Sequence, residues 1–179
     1  MFDLQVSDKV INYVENLLKY HNFGQRGIAD GDRQQQKTGL IGQTVLSESF
    51  GCGKPRGTGG PDGGLDFEVS GKRIDVKTMG RKVYPKPYYV NNFLGLQKNY
   101  DTDVFIFCSY HKIEDILTVC GWISKLDFFD KAILYKIGEK RYRSDGTYFV
   151  LDVDNYEIEN NQLHSPNSLD ELINDINTK

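Results

Sequence analysis

Asp66, Asp75 and Lys77 have the types and the spacing to hold a divalent cation and to work on a water molecule. They lie in residues 65–77, Leu-Asp-Phe-Glu-Val-Ser-Gly-Lys-Arg-Ile-Asp-Val-Lys, a stretch that reads as a hairpin closed by a two-residue turn at Ser70-Gly71. That turn predicts the pairs Val69 with Lys72, Phe67 with Ile74, and Asp66 with Asp75. Alternation then places Leu65, Phe67, Val69, Ile74 and Val76 on one face, and Asp66, Glu68, Arg73, Asp75 and Lys77 on the other. Like charges directly opposed across a sheet are destabilising. Two opposed aspartates therefore require a cation between them, a raised pKa or full solvation. Lys77 adds an ammonium two residues along the same face. Mg²⁺ prefers carboxylates and waters in octahedral geometry, and such an ion activates water and neutralises charge developing on a phosphate. The chemistry suggested is metal-assisted hydrolysis of a phosphodiester, with Lys77 orienting the water or touching the phosphate.

The elements that must carry these residues follow from periodicity. Ser7 is an N-cap, and Val10, Ile11, Val14, Leu17 and Leu18 recur at helical spacing, which predicts a helix over 8–20. Residues 21–37 are polar and read as a connector. A second helix is expected over 38–50, stopped by Gly51. In it Ile41, Val45 and Glu48 fall on one face, so Glu48 projects with apolar neighbours. An inward carboxylate wants a partner or a metal; at the edge of the stripe it reaches water instead. Residues 51–64 contain seven glycines and two prolines together with Lys54 and Arg56, a loop that leads directly into the hairpin. Beyond it, residues 91–100 read as a short helix and 104–108 as a central strand covered on both faces. Residues 117–123 read as a strand, 124–131 as a short helix and 148–153 as a strand. Ser168 caps a last helix over 169–176, with Glu171 in a capping box. The order predicts a single α/β domain over 1–179, a central mixed sheet flanked by helices.

The chain has 179 residues, 39% hydrophobic and 26% charged, with three cysteines and a formal net charge of −3. That composition is ordinary for a globular domain. No apolar run approaches the roughly 20 residues of a membrane span, and the start of the chain lacks the segments of a signal peptide. Cys52, Cys108 and Cys120 show no paired spacing, so reduced thiols and a cytoplasmic location are expected. His21, His111 and His164 are scattered, which argues against zinc or histidine-base chemistry. The charge is uneven: residues 51–90 carry a net +4, while 91–179 carry −6. A basic excess around the hairpin suits a polyanionic substrate. Lys54, Arg56, Arg73, Arg81 and Lys82 are the candidate nucleic-acid contacts, interleaved after residue 80 with tyrosines.

A Gly-rich loop, an Asp, a short hairpin and then Asp75-Val76-Lys77 in an apolar-alternating strand, all preceded by a helix bearing a carboxylate, resembles the PD-(D/E)XK nuclease superfamily, the restriction endonuclease-like fold. The resemblance covers roughly residues 37–80. It implies a Mg²⁺-dependent endonuclease acting on DNA, with Mn²⁺ as a substitute ion. Asp66, Asp75 and the Val76 carbonyl would hold the metal, with Glu48 as a third acid and Lys77 supporting the attacking water. Pro61-Asp62 matches the family's Pro-Asp literally and is the reserve for Asp66. The stretch Lys37-Thr-Gly-Leu-Ile-Gly-Gln43 is similar to a helix of mismatch-repair nicking enzymes and related restriction enzymes. There the glutamate comes four residues after the second glycine, where this chain has Leu46. Glu48 lies about 200° further around the helix, so either Glu48 or Gln43 completes the site. Gln97 and Tyr100 resemble a Gln-x-x-Tyr feature of RecB-like nucleases; packing is the plainer reading of that pair. Many members of the superfamily act as dimers, so a homodimer stays open. The alternatives are a DNA-binding module on the same fold without cleavage, and a nuclease directed at RNA.

Overall fold

The computed structural model describes residues 1–24, 31–56, 64–142 and 145–178. Its elements, in chain order, begin with β1 (Phe2–Gln5), α1 (Asp8–Tyr20), α2 (Arg33–Ser49), β2 (Phe67–Val69), β3 (Lys72–Arg81) and β4 (Val90–Leu94). A 3-10 turn (Gly95–Gln97) leads to β5 (Val104–His111), β6 (Ile116–Ser124), α3 (Lys125–Lys131) and β7 (Ile133–Tyr135). Then come β8 (Lys140–Tyr142), β9 (Tyr148–Val150), β10 (Asn155–Glu159), a second 3-10 turn (Asn160–Gln162) and α4 (Leu169–Thr178). The main sheet has the order β1-β6-β5-β3-β2. It is mixed, because β3 and β5 run parallel while the other neighbours are antiparallel. A second, antiparallel sheet has the order β4-β10-β7, and β8 and β9 form a two-stranded sheet. The fold is therefore mixed α/β, with a mixed sheet flanked by helices. Among the described residues no helix is long and apolar enough to cross a membrane.

Every residue of β5 is buried, as expected for a central strand with both faces covered. Its even residues and those of β3 (Ile74, Val76, Val104, Ile106, Cys108) join Val10, Val14, Leu18, Leu40, Ile41, Val45 and Leu172 of the helices in one core. Its odd residues Phe105 and Phe107 face a second core with Phe93, Phe128, Tyr156 and Ile158. A register shift after Phe107 lets β6 change sides, so Val119 serves the first core and Cys120 and Ile123 the second. Gly121 lies beside that shift because the chain passes closely there: an added Cβ would sit 2.5 Å from the His164 carbonyl oxygen.

Several expectations change. The second helix starts five residues earlier than 38, because Asp32 and Gln35 form a reciprocal capping box, which stabilises a first turn that hydrophobic periodicity does not mark. Residues 91–100 are a strand and a 3-10 turn rather than a helix, since β10 supplies ladder partners for 90–94. The strand expected at 148–153 is only β9, three exposed residues outside both main sheets. The expected helix ends agree: α1 is capped by Ser7, and Gly51 at φ 74° ends α2, while the loop expected over 51–64 lies partly outside the described residues. Ser124 caps α3, and Ser168 Oγ accepts from Glu171 N at the start of α4.

Candidate functional site

The β2–β3 hairpin has the expected register over its paired part: Phe67 with Ile74, Glu68 with Arg73, and Val69 with Lys72. Ser70 and Gly71 adopt φ values of 51° and 74°, the two positive angles of a type I′ turn, whose twist matches that of the strands. The ladder stops at Phe67. Asp66 lies in a bend just before it, its N–H donating to the Ile74 carbonyl at 2.9 Å. Its carboxylate Oδ2 accepts from Val76 N at 2.6 Å. The side chain thus gives β3 the acceptor that a carbonyl of a continued β2 would supply, and is pinned at the peptide that follows Asp75.

Asp75 and Lys77 occupy the opposite face of β3 from α2, beside Phe105 and Phe107 of β5. That face is roofed by the second core, so Asp75 is only 3% exposed. Lys77 Nζ lies 2.7 Å from Asp75 Oδ2. The ammonium also sits 5.4 Å from the centroid of the Phe93 ring, within reach of a cation–π contact. Phe93 belongs to β4 and is itself buried. One strand therefore brings Asp66, Asp75 and Lys77 together around the 75–77 backbone, and an aromatic roof fixes the lysine. Burial of a charge is costly unless it is paired, and Lys77 is a partner of Asp75 at this depth.

The remaining candidates lie elsewhere. Glu48 is in the last turn of α2, exposed, and 3.5 Å from Lys54. Gln43 is half-buried on α2, and Leu46 is fully buried in the first core. Asp62 falls outside the described residues. Lys54 also stands over the Tyr13 ring at 4.8 Å, and Arg56 and Lys82 are exposed. Arg73 pairs with Asp101. Arg81 is half-buried over Tyr89 and donates to the Val90 carbonyl at 2.8 Å, tying the end of β3 to the start of β4; its burial lowers its pKa. Gln97 is buried, and the Tyr100 ring packs against Gly64. Among the described residues, no three His, Cys, Asp or Glu side chains are grouped as a metal site.

The Gly39-x-x-Gly42-Gln43 stretch has a packing role in placing the site. A Cβ at Gly42 would fall 1.9 Å from Thr78 Oγ1, whereas one at Gly39 would meet open space. Gly42 thus lets α2 lie directly on the strand that carries Asp75 and Lys77. Phe93 is the residue that sequence reasoning misses, because it sits in a segment expected to be helical. Val90 and its neighbours alternate too weakly to announce a strand. Compared with protein-family models, curated proteins and solved structures, the chain finds no match.

Proposed function

We infer that the protein is a divalent-metal-dependent nuclease that hydrolyses DNA phosphodiester bonds at Asp66, Asp75 and Lys77, on a restriction endonuclease-like fold. The observation that supports this most is the convergence of two carboxylates and one ammonium on the backbone of residues 75–77. The Asp66 carboxylate sits against the Val76 amide, and the Lys77 ammonium rests on Asp75. Oxygen donors of this kind suit Mg²⁺, which is commonly held by one or two carboxylates with waters and substrate phosphate completing its shell. Asp66 and Asp75 would hold the ion, with the Val76 carbonyl as a further oxygen; Mn²⁺ would substitute. When bound, such an ion supplies a more acidic water and neutralises phosphate charge. The chain's own part is positioning. Lys77, held by Asp75 and Phe93, presents its ammonium where it can donate to the attacking water or to a phosphate oxygen. The buried surroundings strengthen that interaction. Lys54, Arg56 and Lys82, all exposed, would contact the phosphate backbone.

A second reading has its own observation. Asp75 and Lys77 already neutralise one another below the roof, and Glu48 stands apart in water with Lys54. A binding module that keeps the pair for structure alone fits those facts. The two part company on incubation with supercoiled, linear, branched and single-stranded DNA, and with RNA, in Mg²⁺ and in chelator. Cleavage that needs the metal supports the nuclease. Retarded but intact DNA in both conditions supports the module, and cutting confined to RNA changes the substrate.

A further inference from the structure

The β8–β9 hairpin departs from the rest of the fold. Its cross-strand pairs are Lys140 with Val150, Arg141 with Phe149, and Tyr142 with Tyr148. Alternation places Lys140, Tyr142, Tyr148 and Val150 on one face and Arg141 on the other. Arg141 faces the body of the protein. Its Nε donates to Glu157 Oε1 of β10 at 2.9 Å, and its guanidinium lies 3.8 Å from the Tyr135 ring centroid. A two-stranded hairpin is marginal on its own in water, and this bidentate clamp fixes it to the second sheet. The opposite face is left in solvent: Tyr142 is 67% and Tyr148 51% exposed, their ring centroids 5.8 Å apart. Lys140 Nζ stands 4.3 Å from the Tyr148 centroid.

Two exposed rings side by side with a cation over one of them are the parts of a stacking surface for nucleobases. Bases stack on such rings whatever their identity, while the cation meets the backbone. The hairpin is carried by the same small sheet that roofs the site. Glu157, which holds Arg141, follows Tyr156, and Tyr156 pairs with Phe93 above Lys77. We propose that the Tyr142–Tyr148 face binds the unpaired bases of single-stranded DNA, so that the substrates of this site are DNAs with a single-stranded portion. The inference takes nucleic acid as the ligand from the nuclease reading above.

The test measures binding of a fluorescent single-stranded oligothymidylate, and of a duplex of the same length, in chelator so that nothing is cut. Replacing both tyrosines by leucine keeps an apolar cross-strand pair and removes the rings. Replacing both by phenylalanine keeps the rings. The leucine variant is expected to bind the single strand about tenfold or more weakly, in line with the loss of one stacked base or more. The phenylalanine variant is expected to match the wild type, and duplex binding to be unchanged in both. A wild type that does not bind the single strand, or a leucine variant that binds it normally, overturns the proposal. So does a wild-type dimer that the leucine substitutions dissociate without affecting single-strand binding. Lys77→Ala in parallel separates the two claims. If it loses cleavage while the leucine variant binds normally, the hairpin proposal fails and the nuclease reading stands. If no DNA is cut by the wild type in Mg²⁺ but the leucine variant loses single-strand binding, the nuclease reading fails and the platform stands.

Discussion

The two hairpins of this protein invert one another. In β2–β3 the charged residues Asp75 and Lys77 lie under a roof of phenylalanines, with an apolar face behind them on the helices. In β8–β9 Tyr142 and Tyr148 face water together with Lys140, and Arg141 faces inward to Glu157. A hairpin built for stability alone would do the opposite in both places, since burial favours apolar area and buried ions need compensation. In the first hairpin β3 is paired in parallel to β5 from Ile74 to Arg81; the second is a separate two-stranded sheet that the Arg141–Glu157 pair clamps to β10. Positioned chemistry belongs on the rigid element, and an adaptable contact surface on the hairpin that lies outside both larger sheets.

The sharpest way to break this comparison is to remove one member of the buried pair. Lys77→Ala or Asp75→Ala breaks the ion pair under the roof, and a cost of about 3–5 kcal/mol in denaturant unfolding is expected. Replacing both, Asp75→Leu with Lys77→Met, should recover most of that stability without recovering cleavage. Recovery of cleavage as well would show that the pair has no part in the reaction. Next in size is Gly42→Ala, whose methyl group would meet Thr78; about 1–3 kcal/mol is expected from such overpacking. Thr78→Ala in the same chain should relieve part of it in a double-mutant cycle. Asp66→Ala removes the acceptor on Val76 N and should cost about 1–3 kcal/mol. Asp66→Asn keeps an acceptor and should cost less, so equal losses from both would mean the hydrogen bond is not what matters. The mildest effect concerns thiols. Burial raises the pKa of all three thiols, Cys108 strongly and Cys120 to about 12, but Cys52 alone is exposed. A thiolate-directed reagent at pH 8 should label Cys52 in the folded protein and reach the other two only on unfolding. Labelling of Cys120 in the native state would mean that the second core opens.

The local rules were legible and the distant ones were not. The Ser70-Gly71 turn set the hairpin register, and the unbroken run at 104–108 announced a strand covered on both faces. Nothing in residues 65–77 indicates a roof over the charged face of β3. That roof is β4 paired with β10, some sixty residues apart in the chain, and such long-range pairing overrides local propensity. Asp66 left the ladder because its own carboxylate competes for a backbone N–H, as short acidic side chains do. Periodicity assigned Glu48 its angle about the axis of α2 but not its height: in the last turn it lies next to Lys54 and water. The stretch around Gly42 reads like a motif, and its physical content is the space α2 needs to lie on β3.

The most direct measurement is single-turnover cleavage of DNA by wild type and by Lys77→Ala, each shown to be folded, in Mg²⁺ and in chelator. The account predicts cutting by the wild type in Mg²⁺ alone, with none by Lys77→Ala although the DNA is still bound. Equal cleavage by both proteins in Mg²⁺ would contradict it.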